Sequence, residues 1–333
     1  MAMKSSLARS VGKLLGVFRN NDLSLRGQGQ GNKFFDPTTD WQLLLNQAGP
    51  YSGTLDVTGH NRLLIFGVGG GAGGAAGGDD DGGGGGGGAT GQFNGYELLV
   101  TPGGTYTVTV PGGGAAIATR GSDGNPGGDT TIATPTQTVF SLAGGAGAAQ
   151  GPTNDDAYPA PATNAPPFAS HSGGGGGIQE GRNVDRRPSD GTPGAYGGAG
   201  GGGGGAWDGP NGKNLGTNGL NNTLNTITVS SYDDSPLPQT FTVVGTNGTG
   251  YSQPTDYGQS TGPGAATSNA PASGAAGREY CGGGGAGGGV RFFGTGNGGY
   301  GAGGGGAGGQ NPHSTPSGNG GAGYIVVYGR FKA

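Results

Sequence analysis

Three clusters of acidic residues are the first candidates for chemistry in this sequence: Asp79-Asp80-Asp81, Asp155-Asp156 and Asp233-Asp234. Neighbouring carboxylates can flank a glycosidic bond during hydrolysis or bind Ca²⁺. Adjacent acids in loops also serve as turn formers or solvated charges, and the cluster at Asp79 lacks the alternating spacing of a calcium-binding repeat. We therefore expect turns at these positions, with no catalytic residue, no metal and no cofactor.

The histidines, the cysteine and the phosphate-binding motifs also argue against catalysis. His60, His171 and His313 lack the spacing of metal ligands. Cys281 lies beside a glycine run with no sign of activation, which is typical of an inert thiol. Matches to GxGxxG arise by chance in so glycine-rich a chain, and no GK[ST] phosphate loop occurs. The sequence predicts a protein that is not an enzyme.

Aromatic and arginine side chains between the glycine runs are the remaining candidates. Tyrosine provides a large contact area at a low conformational cost, and arginine pairs with carboxylate and phosphate groups. Recognition residues are often found on loops that a rigid scaffold positions. The alternative is that these aromatic residues only pack over the ends of the glycine-rich scaffold. The candidate recognition residues are Tyr158, Phe168, Arg186, Arg187, Tyr196, Trp207, Tyr232, Tyr251 and Tyr257.

The composition limits which scaffold can position these residues. Glycine accounts for 89 of the 333 residues, and only 30% of the chain is hydrophobic. An ordinary layered core throughout is therefore excluded, and so is a transmembrane helix, which needs about 20 consecutive apolar residues. A net charge of −4 argues against binding of nucleic acid through its phosphates. The single cysteine excludes an intrachain disulfide.

Short strand-like segments alternate with the glycine runs. Residues 96–100 and 105–110 flank Pro102-Gly103-Gly104, which predicts a β-hairpin. Residues 226–232 and 240–244 predict a second hairpin. Further strands are expected at 63–66, 130–132, 139–142 and 324–328.

The glycine runs themselves can form regular structure. A chain in the polyproline-II conformation has three residues per turn and no internal hydrogen bonds. When its residues are glycine, no Cβ blocks lateral approach, so neighbouring helices can satisfy one another's backbone groups. We expect a polyglycine-II bundle, with the alanine and valine residues of the runs on its outer face. Disorder is the alternative that the composition alone favours.

The first 26 residues have helical periodicity. Leu7, Val11, Leu14 and Phe18 would form one apolar stripe, and basic residues occupy much of the rest of the turn. A helix this short is marginal alone, so the stripe predicts docking to a partner protein. A frayed cationic leader and a membrane-surface helix are the alternatives. Gly12 and Lys13 interrupt the apolar run, which argues against a signal peptide.

From residue 63 onwards the chain resembles the glycine-rich domain of bacteriophage tail-fibre proteins. The resemblance rests on the runs, on YELLVT at 96–101, PGGTYTVTV at 102–110 and GGDT at 127–130, and on the closing GGAGYIVVY at 320–328. In architecture the chain is similar to the tip adhesins of T-even-type long tail fibres. That resemblance implies a polyglycine-II sandwich whose loops contact a host receptor.

These expectations combine into one fold class, which is mainly irregular and β. It contains a polyglycine-II helix bundle with short antiparallel strands and hairpins, plus an N-terminal α-helix. The expected domains are a docking helix at 1–26, an adaptor or linker at 27–62 and a glycine-rich domain at 63–333. The variable loops of that domain are 149–172, 178–196, 206–281, 290–297 and 310–317.

The resemblance also sets the expected function. It implies a virion structural protein of a tail or head fibre, made in the host cytoplasm, that acts as an adhesin. Its expected partners are other virion proteins, bound through the N-terminal segment, and a host surface glycan or outer-membrane protein. A homo-oligomer is expected, with a trimer favoured over a monomeric tip. The alternatives are a purely structural virion protein, an ice-binding bundle that would need a flat face of regularly spaced threonine or small residues, and a polysaccharide depolymerase.

Overall fold

A computed structural model describes the parts of the chain on which the fold rests. The described residues are 41–77, 85–119, 121–149, 200–202, 207–208, 212–213, 226–231, 238–242, 284, 296–306 and 316–331. The predicted N-terminal helix, with Leu7, Val11, Leu14 and Phe18, lies outside them. Within these ranges the regular structure consists of β-strands, and no helix occurs.

Twelve strands form the regular structure of the described residues. They are β1 (Gln42–Ala48), β2 (Tyr51–Asp56), β3 (Arg62–Val68), β4 (Phe93–Leu99), β5 (Thr105–Val110), β6 (Thr130–Ala133), β7 (Thr138–Leu142), β8 (Trp207–Asp208), β9 (Gly212–Lys213), β10 (Thr226–Ser231), β11 (Pro238–Thr242) and β12 (Tyr324–Arg330). One sheet has the order β1-β12-β3-β4-β10-β11, a second has the order β2-β5-β6-β7, and β8 pairs with β9. Neighbouring strands are antiparallel except for β4 and β10, which are parallel.

The two larger sheets enclose the main hydrophobic core. Alternate residues of β3 and β12, such as Ile65 and Ile325, point towards alternate residues of the four-stranded sheet, such as Val108 and Phe140. This alternation follows from the two-residue period of a strand. The buried residues of the core are Leu55, Val57, Leu63, Ile65, Leu98, Val100, Tyr106, Val108, Val110, Ile132, Phe140, Leu142, Ile325 and Val327.

The strands expected around residues 63–66, 130–132, 139–142 and 324–328 are confirmed, and so is the hairpin of β10 and β11. The hairpin expected between 96–100 and 105–110 is wrong. β4 pairs with β3 and β10, whereas β5 pairs with β2 and β6 in the other sheet. The turn that contains Gly103, whose φ is 73°, therefore crosses from one sheet to the other. Both strands then direct apolar side chains into the core between the sheets.

Part of the predicted adaptor belongs to the same two sheets. β1 forms an edge of the six-stranded sheet beside β12, and β2 forms an edge of the four-stranded sheet beside β5. The short connection Gly49-Pro50, which contains a cis peptide bond, joins them. Residues 42–56 thus close one side of the sandwich.

Most strands of the sandwich continue directly into glycine-rich runs. β3 leads into 69–77, and 85–92 leads back into β4. In the same way, β5 leads into 111–117, 121–128 leads into β6, β7 leads into 143–149, and 317–323 leads into β12. The runs therefore extend from one end of the sandwich, and we call this assembly of runs the glycine bundle.

Candidate binding surfaces of the glycine bundle and the sandwich

The run at 69–77 lies in the middle of the bundle, and its hydrogen bonds repeat every three residues. Its backbone N–H groups donate in rotation to three neighbouring segments, at N···O distances of 2.8–3.1 Å. The carbonyl oxygens of the first neighbour accept from Gly70, Gly73 and Ala76, and they belong to Gly128, Asn125 and Ser122, respectively. Those of the second neighbour, Gly321 and Gly318, accept from Gly71 and Gly74, and those of the third, Ala89 and Gly86, accept from Ala72 and Ala75. Each series moves backwards along its partner by three residues, so these three neighbours run antiparallel to the central run.

The carbonyl groups of the central run point to three further segments. The carbonyl oxygens of residues 70–72 accept hydrogen bonds from the N–H groups of Gly145, Gly114 and Gly304 in turn, at 2.8–2.9 Å. Six described segments therefore surround residues 69–77. Buried backbone groups must find partners, and here the neighbouring runs provide them almost without side chains.

This packing explains why glycine is required at particular positions. A Cβ added at Gly71 would overlap the carbonyl oxygen of Ala302, and one at Gly85 would overlap the carbonyl oxygens of Ala75 and Ala76. By contrast, a Cβ added at Gly112 would meet no atom within 4 Å. The requirement is thus steric, and it depends on which way each residue faces.

The expectation that the alanine and valine residues of the runs lie on the outer face holds for Ala115 and Ala143, which are exposed, but is wrong for Val68 and for six buried alanines: Ala72, Ala75, Ala76, Ala89, Ala148 and Ala302. Ala75, Ala89 and Ala148 are fully buried and form a small cluster, against which Ala146 packs. Residues three apart face the same direction in a threefold arrangement, so alanine is accommodated where it meets another alanine instead of a backbone carbonyl. Small apolar contacts thus supplement the hydrogen bonds inside the bundle.

Three polar side chains complete the hydrogen bonding where strands become runs. Gln92 Oε1 accepts a hydrogen bond from the N–H of Ala143, and Asp129 Oδ1 accepts one from the N–H of Gly144. The Thr130 hydroxyl donates to the carbonyl oxygen of Val68 at 2.8 Å. These bonds connect the strands to the runs, so the sandwich fixes where each run starts.

Four of the described runs reach the end of the bundle that is remote from the sandwich, where their last described residues are Gly77, Ala149, Gly202 and Gly306. The carbonyl oxygens of Gly77, Ala149 and Gly202 accept hydrogen bonds from Gly121, Gly86 and Gly306, respectively. The N–H of Ala75 also donates to the carbonyl oxygen of Gly86, so Ala75, Gly86 and Ala149 lie at similar positions along the bundle. We call this end, defined by residues 77, 149, 202 and 306, the loop pole.

Part of the predicted loop 206–281 belongs to the sandwich and not to the loop pole, because β10 pairs with β4 and its last residue, Ser231, lies opposite Glu97. Tyr158, Phe168, Arg186, Arg187 and Tyr196 follow Ala149, and together with Tyr232, Tyr251 and Tyr257 they lie outside the described residues. Trp207 is placed only as a member of β8, opposite Lys213. The structure therefore locates where one of the predicted loops, 149–172, begins.

The opposite end of the molecule carries a buried cluster of charges. Glu97 is 2% exposed, and its Oε1 lies 2.9 Å from Nη1 of Arg62 and 3.3 Å from Nη2 of Arg330. The guanidinium of Arg330 stacks over the ring of Trp41, 4.2 Å from its centroid. Sequence reasoning missed this cluster because Glu97 is 35 residues from Arg62 and 233 residues from Arg330 in the chain. We call the end marked by Trp41, Arg62, Leu99 and Arg330 the sandwich pole.

A turn beside the sandwich pole joins β2 to β3. Asp56 Oδ1 accepts a hydrogen bond from the backbone N–H of Thr58 at 2.8 Å, and Gly59 has a φ of 76°. The hydrogen bond from Thr58 lowers the pKa of the Asp56 carboxyl, because it stabilises the charged form. This carboxylate therefore has a structural role in the turn.

The outer face of the four-stranded sheet carries mostly hydroxyl groups, together with Asp56 and Ala133. The strand pairing places Thr54 opposite Thr107, and Ser52 opposite Thr109, which in turn is opposite Thr131. By strand geometry these residues are about 4.8 Å apart across strands and about 6.6 Å apart along each strand. The hydroxyl residues of this face are Ser52, Thr54, Thr105, Thr107, Thr109, Thr131 and Ser141.

Other kinds of site are not found in the described part of the chain. Its residues include no group of three or more histidine, cysteine or acidic side chains that could hold a metal ion. Nor do they include a helix with the length and apolar character needed to cross a membrane. A scan against models of protein families finds no match to this chain, and a search of curated proteins finds none either.

Proposed function

We propose that this chain is a bacteriophage virion protein, a component of a tail or head fibre that acts as a receptor-binding adhesin. The observation that carries the proposal is the hydrogen-bonded bundle, in which Gly77, Ala149 and Gly202 all lie at the end remote from the sandwich. Loops gathered at the end of a rigid scaffold suit recognition. The sequence resemblance to glycine-rich fibre domains supports the same assignment.

The scaffold of this adhesin is a polyglycine-II bundle. The rotation of hydrogen bonds through three neighbours every three residues supports this assignment, because the polyproline-II helix has three residues per turn. At a rise of about 3.1 Å per residue, the nine residues 69–77 would span about 28 Å. The bundle would therefore hold the connections that follow Gly77 and Ala149 well away from the sandwich.

The proposed mechanism is adhesion without covalent chemistry. Loop tyrosines and Trp207 would stack on sugar rings or apolar receptor surfaces, and Arg186 and Arg187 would pair with phosphate or carboxylate groups. The receptor is a host surface glycan or outer-membrane protein. Assembly as a homo-oligomer, with a trimer favoured, would multiply the contacts and raise avidity.

Substitution of the loop aromatics tests the adhesin assignment. We expect the triple variant Trp207→Ala, Tyr251→Ala, Tyr257→Ala to reduce adsorption of the purified protein to host cells by tenfold or more, because stacking contacts are lost. Adsorption is measured from the protein remaining in the supernatant, and a denaturation curve checks the fold. Thr54→Ala, on the sandwich surface, is the matched control. Unchanged adsorption of the triple variant, or its failure to fold, would contradict the assigned role of these residues.

Ice binding is a second candidate because of the hydroxyl face of the four-stranded sheet. Ser52, Thr54, Thr107 and Thr109 form part of a regular, exposed grid on a face without lysine or arginine. If this function is correct, the purified protein should slow ice recrystallisation, and Thr107→Lys should abolish the effect because a long charged side chain disrupts the flat grid. Equal recrystallisation rates with and without the wild-type protein would reject ice binding and leave the adhesin proposal in place.

A further inference from the structure

One side of the glycine bundle faces solvent through four neighbouring runs, 111–119, 121–129, 143–149 and 316–323. Every exposed residue of these runs carries a side chain, and no glycine in them is exposed. Most of the exposed residues are three apart within their run, so they face the same direction. We call them the outer side chains: Ala115, Ala118, Thr119, Asp123, Pro126, Asp129, Ala143, Pro316 and Asn319.

The outer runs retain backbone groups that could pair with a further run. Within the described residues, the N–H groups of Gly112, Gly113 and Ala115 have no acceptor. The N–H of Gly114, which faces inwards, donates instead to the carbonyl oxygen of Gly71 in the central run. An outer run therefore resembles the edge strand of a sheet, whose free backbone groups recruit further strands. A glycine run of a second copy of this chain has the matching chemistry.

The Cβ atoms of the outer side chains occupy the space that such a run would need. Where two runs touch inside the bundle, a Cβ added to one overlaps a carbonyl oxygen of the other, as at Gly113 against Gly320. On the outward side of the same run, Ala115 and Ala118 carry Cβ atoms. Alanine is buried between runs where it meets other alanine methyl groups, as Ala75 does, and a run of glycine offers no such match.

Polar side chains and proline also remove backbone donors from this surface. Asn319 Oδ1 accepts a hydrogen bond from the N–H of Ala116 at 2.7 Å, and Ser317 Oγ accepts one from the N–H of Ile117 at 2.8 Å. Pro126 has no N–H group. These donors are therefore not available to a further run.

We propose that the outer side chains close this side of the bundle, so that no glycine run of a second copy of this chain can add to it. Natural sheets protect their edges against the same kind of growth with charges, proline and bulges. Copies that assemble into an oligomer must then join through another surface. The inference concerns the scaffold alone and holds whether or not the protein is an adhesin.

Removal of the outer side chains from two neighbouring runs tests the proposal. The quadruple variant Ala115→Gly, Ala118→Gly, Asp123→Gly, Pro126→Gly exposes bare backbone and restores the missing N–H. Sedimentation velocity over a hundredfold range of concentration gives the weight-average mass of the purified full chain. We expect the mass of this variant to rise with concentration to at least twice the wild-type value, because a further run can then pair with the bundle.

Two controls separate the Cβ atoms from charge, proline and loss of stability. Asp123→Ala, Pro126→Ala makes the same change in charge and removes the same proline but keeps every Cβ. Ala75→Gly, Ala89→Gly loosens the interior and leaves the outer side chains in place. Both variants should keep the wild-type mass at every concentration. Association of either control would overturn the inference, because charge, proline or loss of stability would then account for the association.

A smaller variant keeps the test decisive if the quadruple variant does not fold. Ala115→Gly, Ala118→Gly opens a single run and should also associate, although more weakly. A denaturation curve checks the fold of each variant, and slower amide hydrogen exchange at residues 112–116 of the associated form would place the contact on the opened run. Wild-type mass for every folded glycine variant of the outer runs would overturn the inference.

Discussion

Replacement of Gly71 by alanine should destabilise the chain by about 3 kcal/mol or more, an effect at the upper end of those caused by overpacking. The new methyl group would overlap the carbonyl oxygen of Ala302. That carbonyl accepts a hydrogen bond from the N–H of Gly321 at 2.8 Å, so it cannot move away without breaking a bond inside the bundle. Because six segments surround residues 69–77, a displacement there also disturbs several neighbours.

Two control variants separate this steric effect from a general intolerance of the runs to any substitution. Gly112→Ala places its methyl group in open space and should change the free energy of unfolding by less than about 1 kcal/mol. Ala75→Gly removes the contact with Ala89 and Ala148 and should cost about 1 kcal/mol. The measurement is the free energy of unfolding from urea titration. Equal stability of Gly71→Ala and Gly112→Ala would refute the close packing around the central run.

Glu97→Gln should destabilise the sandwich by about 3 kcal/mol, because loss of one partner leaves buried charge uncompensated. Glu97 is 2% exposed, and its carboxylate separates two guanidinium groups that would otherwise repel each other. Glutamine keeps the size and an acceptor oxygen, so the change isolates the charge. Urea titration at neutral pH provides the measurement.

Asp56→Asn provides the control for this charge change. Asp56 is an exposed carboxylate near the same pole, and asparagine retains an oxygen that can accept from the N–H of Thr58. We expect no measurable change in stability from this variant. If Glu97→Gln also leaves the free energy of unfolding unchanged, the ion cluster does not contribute to the stability of the sandwich.

Local sequence signals predicted most strand positions but not how the strands are arranged. The alternation in Thr105–Val110 identifies a strand whose even-numbered residues are buried, and the structure confirms it. The same alternation is compatible with pairing to β4 or with crossing to the second sheet. What decides between them is the core between the two sheets, in which Leu98 of β4 and Tyr106 of β5 are both buried, and that core is formed by the whole sandwich. The hairpin prediction failed because a turn sequence does not determine which sheet the next strand joins.

Some features of the candidate sites can be predicted from the sequence, and others cannot. The glycine runs indicated a scaffold held by backbone groups, but composition does not tell which residues of a run meet a carbonyl oxygen, as at Gly71, and which meet a methyl group, as at Ala75. The cluster of Glu97, Arg62 and Arg330 has no local signature, because antiparallel pairing of distant strands assembles it. The exposure of Ala115 and Pro126 likewise depends on the tertiary fold.

The hydrogen bonds of the central run rotate through three neighbours every three residues. The number of residues in a run therefore determines which neighbour each residue faces. Removal of three residues from a run returns every remaining N–H group to the same neighbour, one step further along. Removal of one residue turns the rest of the run by a third of a revolution, so that a position such as Ala75 would take the orientation of Gly74, where a Cβ would overlap the carbonyl oxygen of Gly305. Runs of this kind can therefore lengthen or shorten only by whole turns of three residues. Insertions in the connecting loops are free of this restriction, because they do not change the direction in which the residues of a run face.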